Sequence, residues 1–243
     1  MLPRWQHGSF ALHNLRATGD AALEWSPDQG LGATLAAQLN PERLTLAGAL
    51  PLVFPASTWK VAATAQAKPA ANLLHSFTMQ GIASSEKLQG EHAGHAFALG
   101  PTRVHLEQFA ATPRGTRADL AVAADAIRLN PSWPAPDLRA RVRLDGDRVR
   151  SEGGVLLAGE EALRFTGSHA LARACGQATL SAQTTLATLG KRLQPRPPGL
   201  APLDLAAGEG DASFEVDWCD AKVAAKGTLH LRDARIGWEK AQA

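Results

Sequence analysis

Few residues in this chain are spaced for chemistry. His92-Ala93-Gly94-His95 holds its one close histidine pair, with Glu91 alongside. A metal site needs further ligands converging from suitable directions. None is evident beyond Glu91, and the segment reads as a turn. Two cysteines, Cys175 and Cys219, are too few for a disulfide framework. Cys175 shares the parity of Leu171, whereas Cys219 is opposite to Trp218. Their side chains are therefore expected on different sides, as free thiols and not as a bridge. An oxidising compartment would favour the bridge. Arg139, Arg141, Arg143, Arg148 and Arg150 form a basic cluster. Such a run can meet anionic lipid head groups, but more often it is the solvated face of a strand pair and a guard against edge pairing. No Gly-x-Ser-x-Gly, P-loop or dinucleotide fingerprint occurs. The expectation is a protein that is not an enzyme and has no cofactor and no metal.

Composition narrows the class further. The chain has 243 residues, a net charge of +2, 45% hydrophobic and 20% charged residues. That charge is too balanced for a nucleic-acid binder that neutralises phosphates. The apolar content is too high for a disordered chain. No run approaches the roughly 18 to 20 apolar residues of a membrane-spanning helix. Met1-Leu2-Pro3-Arg4-Trp5 does not read as a secretory signal.

The elements that position these residues follow from periodicity. Leu138, Ala140, Val142 and Leu144 alternate with Arg139, Arg141 and Arg143, and Asp145-Gly146 then signals a turn. A helix would spread those arginines around its circumference. The same period of two appears in Leu31 to Leu39, Leu44 to Phe54, Trp59 to Ala65, Val104 and Leu106, and Leu120 to Ala124. It returns in Leu163 to Leu171, Phe214 to Trp218 and Val223 to Leu231. Breaks fall at Asn40-Pro41, Pro113-Arg114-Gly115 and Gly208-Glu209-Gly210. A dozen or more antiparallel strands are expected, each with one apolar face.

Two stretches differ. Leu73, Leu74 and Phe77 suit a short helix within 69–77. Leu186, Leu189 and Leu193 stand at i, i+3 and i+7, which favours a helix over 185–193. Gln194-Pro195-Arg196-Pro197-Pro198-Gly199 ends it. The expected organisation is repeated amphipathic strands over 1–184, a short helix and Pro-rich insertion over 185–199, and strands of the same sheet over 200–243. Alanine makes up roughly a fifth of the chain, well above ordinary usage. Small inner residues fit a curved sheet whose concavity holds something else, and fit tightly packed layers equally well.

A resemblance enters on the C-terminal quarter. It rests on Leu186-Ala187-Thr188-Leu189-Gly190-Lys191-Arg192-Leu193, on Leu203-Asp204-Leu205-Ala206-Ala207-Gly208-Glu209-Gly210 and on Phe214-Glu215-Val216-Asp217-Trp218. The run from Ala225 through Leu229-His230-Leu231-Arg232-Asp233 to Trp238 completes it. This passage resembles the YdbH-type branch of AsmA-like proteins of the Gram-negative cell envelope. The resemblance implies an all-β, mainly antiparallel fold, a long bent groove-like sheet with one or two short helices. It implies a periplasmic place, an inner-membrane anchor and phospholipid carried toward the outer membrane. A small outer-membrane lipoprotein that adds a strand at the far C-terminal end is the implied partner. Those relatives are several times longer and begin with an anchor, so a piece of a longer protein is expected here.

On this view acyl chains slide along uncharged strand faces, and the head group stays in water. The expected lipid-groove residues are Leu120, Val122, Leu138, Val142, Leu144, Phe165, Leu171, Phe214, Val216, Leu229 and Leu231. The competing reading is a β-repeat scaffold in which the same residues form a filled core. An outer-membrane barrel would call for aromatic girdles, and this chain has no Tyr and scattered Trp.

Overall fold

The computed structural model describes residues 2–7, 10–28, 30–46, 52–68, 76–92, 95–112, 115–128, 135–157, 159–192, 203–219 and 222–238. The fold is all-β, a long curved antiparallel sheet with almost no helix. The strands are β1 (Leu2–His7), β2 (Phe10–Ser26), β3 (Gly30–Asn40), β4 (Arg43–Leu46), β5 (Leu52–Pro55) and β6 (Trp59–Lys68). They continue as β7 (Ser76–Ser85), β8 (Leu88–His92), β9 (His95–Leu99), β10 (Thr102–Thr112), β11 (Gly115–Ala124) and β12 (Asp137–Asp145). The last are β13 (Arg148–Leu157), β14 (Glu160–Ala170), β15 (Cys175–Thr185), β16 (Leu203–Cys219) and β17 (Lys222–Trp238).

The ladder is a meander. The main sheet runs β2, β3, β6, β7, β10, β11, β12, β13, β14, β15, β16, β17, every neighbouring pair antiparallel. A smaller portion runs β1, β2, β4, β5, β8, β9 and shares β2. In effect β3 and β4 are one long arm, as are β5 and β6, β7 and β8, and β9 and β10. Each is interrupted at the same level, by Pro41-Glu42, Ala56-Ser57-Thr58, Glu86-Lys87 and Gly100-Pro101. The stretch read from sequence as one alternating run, Leu44 to Phe54, is two strands: Leu44 pairs with Phe54 and Leu46 with Leu52. A reversal between strands that pair at matching parity leaves alternation intact, so sequence parity does not reveal it.

At these interruptions the inward positions are three apart where a strand would set them two apart. The pairs are Pro41 and Leu44, Phe54 and Ser57, Ser85 and Leu88, and Leu99 and Thr102, all buried or half-buried. One extra residue per arm is a bulge, and aligned bulges let a sheet turn a corner. β2 passes the same level through Asn14, which has φ 49°. Asn tolerates that left-handed conformation better than most residues, and its Nδ2 donates to Glu42 Oε2 at 2.7 Å. The corner holds much of the core. Leu88 is 2% exposed, and Phe54 and Ala124 are buried too; Phe54 meets Phe97 edge-on at 5.7 Å. Three buried hydroxyls serve polar groups at the interruptions. Ser85 Oγ donates to the Lys87 carbonyl (3.3 Å), Thr102 Oγ1 to the Gly100 carbonyl (3.1 Å), and Ser57 Oγ accepts from Trp59 Nε1 (3.1 Å).

One helix, α1 (Leu186–Arg192), follows β15 where the i, i+3 pattern places it. Thr185 caps it, its Oγ1 accepting from the Thr188 N–H at 3.2 Å. Buried Leu186 lies over Gly210 of β16. Of the other expected helix, 69–75 lies outside the described residues, and Phe77 stands in β7.

Candidate functional site: an apolar trough across the sheet

Directly opposed residues of an antiparallel pair share a face, so register traces what each face carries across the sheet. One row of direct partners spans the main sheet: Gly19, Ala37, Val61, Ala83, Val104, Val122, Ala140, Gly153, Phe165, Leu180, Phe214 and Gly227. Every member is apolar. The next row on the same face includes Leu35, Leu106, Leu120, Val142, Ser151 and Val216. The row beyond includes Leu23, Met79, Phe109, Leu144, His169 and Trp218. None of the three rows contains Asp, Glu, Lys or Arg. At roughly 4.8 Å per strand spacing, twelve strands make a path on the order of 50 Å long.

The opposite face is polar. Arg143 Nε bonds Asp119 Oδ1 and Arg139 Nη2 bonds Asp125 Oδ1, both at 2.6 Å. Lys226 Nζ meets Glu215 Oε2 at 2.6 Å and Arg117 Nε meets Asp145 Oδ1 at 3.3 Å. The hydrogen bond to Asp119, then its charge, holds the Arg143 guanidinium above the usual arginine range. Glu215 does the same for the Lys226 ammonium. Depressions on this face are lined by Arg103, His105, Arg141, Glu152 and their neighbours. The basic cluster read from sequence thus lies on a solvated face, where Arg139 and Arg143 are ion-paired.

The trough floor is kept low by a repeated device. On the apolar face a large aromatic lies over a glycine of the adjacent strand. A Cβ at Gly153 would come within 2.7 Å of Phe165 Cζ. A Cβ at Gly176 would collide with the Trp218 ring, and one at Gly227 with Phe214. Glycine lets the ring lie down across the sheet where it would otherwise stand into the concavity. Trp218 reaches across Gly176 to His169, stacked at 6.0 Å, and its Nε1 donates to His169 Nδ1 at 3.1 Å.

The floor is half-buried along its middle strands and open to solvent at both ends. Among the described residues no large side chain is fully buried. Exposure is greatest at the two ends of the trough: Leu23 is 73% and Leu229 64% exposed.

All the expected groove residues except Leu171 lie on this one face. Leu120, Val122, Leu138, Val142, Leu144, Phe165 and Val216 are half-buried, while Phe214, Leu229 and Leu231 are exposed. Leu171 is a correction. It opens a 3₁₀ turn, Leu171–Arg173, beyond the end of β14 and is exposed. The same turn corrects the cysteines. Ala174 leaves it in the left-handed region, φ 50°, which resets parity before β15. Cys175 is therefore directly opposite Cys219, and the two form a disulfide with Cα atoms 4.1 Å apart. Both lie on the polar face, since their neighbours Gly176 and Trp218 occupy the trough.

Sequence reasoning missed Phe109 and Leu180 in the floor. Phe109 has the wrong parity for Val104 and Leu106. A bulge between Leu106 and Gln108 brings it back to their face. His92 and His95 are the last pair of β8 and β9. Among the described residues no group of three metal-ligating side chains occurs, and no helix is long and apolar enough to cross a membrane. Comparison with protein-family models, curated proteins and solved structures finds no match to this chain.

Proposed function

We propose that this chain is a non-catalytic, bridge-like carrier that moves phospholipid along the apolar trough between two membranes. The observation that supports it is the uninterrupted uncharged face across twelve strands, half-buried along its middle and exposed at both ends. Each acyl methylene exposed to water costs about 0.8 kcal/mol relative to burial. A floor of Leu, Val, Ala and recumbent aromatic rings offsets that cost at every step and holds the chain at none. Head groups remain in water at the open side, so the reading requires no head-group pocket. The Cys175–Cys219 bridge favours an oxidising compartment, in keeping with the periplasmic place that the resemblance to YdbH-type proteins implies. Anchorage in the inner membrane and a strand-adding lipoprotein at the outer membrane belong to the same proposal.

The test is site-specific photo-cross-linking in cells. A photoreactive residue at Val142 or Val216 should capture phospholipid, whereas one at Arg141 or Glu215, on the polar face, should not. Equal capture from both faces, or none from Val142 and Val216, would remove the carrier reading and leave a β scaffold.

A further inference from the structure

The two long borders of the main sheet are complementary. The outer edge of β17, and that of β2 from Arg16 to Trp25, pair with no strand among the described residues. Unpaired edges of this length are templates for another strand. Their trough-facing side chains are among the most exposed apolar groups in the protein, Leu23 on β2 and Val223 and Leu229 on β17. Over residues 20–24 and 222–226 their polar faces carry opposite charge, Asp20 and Glu24 against Lys222 and Lys226; Arg16, farther along β2, is paired with Glu42.

We propose that β17 of one copy pairs with β2 of a second copy, head to tail. Twelve strands alternate in direction, so β17 runs opposite to β2. A second copy in the same orientation therefore presents its β2 antiparallel to β17, trough face beside trough face. The register that continues the row from Gly19 to Gly227 sets Glu24 opposite Lys222, Asp20 opposite Lys226 and Leu23 opposite Val223. Lys226 is already bonded to Glu215, so Asp20 flanks the ammonium from the other side. Pairing β17 with a second β17 would bring lysines toward Arg232 and His230, a like-charge arrangement that destabilises cross-strand pairs. A heterologous contact of this kind builds rings or filaments, and each added copy lengthens the trough. The association stands apart from what the trough carries and is measured on lipid-free protein.

Single-cysteine variants Ala21→Cys and Ala225→Cys test it, since the native cysteines are bonded to each other. A mixture of the two should yield a disulfide-linked dimer, and neither alone should. Linkage of Ala225→Cys to itself would overturn the proposal. So would an internal bridge in the double variant, which would mean closure of one chain on itself. So would a chain that sediments as a monomer at its highest soluble concentration. In sedimentation, Lys222→Glu should weaken association about three- to fivefold, and mixing it with Glu24→Lys should restore it. Circular dichroism checks that each variant folds.

Discussion

The corner and the β16–β17 end of the trough use the same residue types to opposite effect. At the corner, Leu88 and Phe54 are buried. At the β17 end, Leu229 and Val223 sit on the same kind of pleat and face water. The difference lies in one inserted residue per arm. Aligned bulges let the sheet turn at one level, and without them the sheet continues open. Stability is thus concentrated along a line, while the apolar face beyond it remains available to a ligand.

The contrast can be broken by mutation. Leu88→Ala should cost about 2–5 kcal/mol, with a transfer and a cavity contribution. Leu229→Ala should change stability by about 0.5 kcal/mol or less, as expected for an exposed site. Urea unfolding of both variants measures the gap, and equal losses would mean the trough end is packed. Replacing both Cys175 and Cys219 by serine opens a 44-residue separation and should lower stability by about 2–4 kcal/mol. That loss should loosen β15 and β16 more than the corner in amide exchange.

Smaller effects sharpen the same comparison. Ala174 occupies a left-handed conformation at the exit of the 3₁₀ turn. Ala174→Gly relieves that strain and should raise stability by about 0.5–1 kcal/mol in thermal unfolding. The Lys226–Glu215 pair gives a pH dependence. The lysine is held above its ordinary value by the hydrogen bond to Glu215. The pair's contribution is therefore fully present below the ordinary lysine value. It is lost as pH rises through the raised one. Amide exchange, corrected for its intrinsic pH dependence, should show β17 loosening in that alkaline window while the corner stays protected.

The strands were legible where unbroken alternation stayed within one strand; Leu44 to Phe54, which reverses at matching parity, was the exception. Leu138 to Leu144 against three arginines is the clearest case, and it gave both the fold class and the trough-facing parity. What the sequence concealed were changes of parity. A bulge moved Phe109 into the floor, and the turn at Leu171–Arg173 moved Leu171 out of it and brought Cys175 onto the face of Cys219. The corner was hidden for the same reason. Pro41 is an audible break, but Glu86-Lys87 between Ser85 and Leu88 looks like any polar pair until its neighbours are aligned in space. Parity is local information, and each inserted residue resets it.

The most direct test is the phospholipid content of the chain purified without detergent, by extraction and mass spectrometry, for wild type and Val142→Asp. Phospholipid should accompany the wild type and be lost from the variant with the β-sheet signal in circular dichroism retained. A wild type that carries none, or a variant that carries as much, would contradict the trough as a path for lipid.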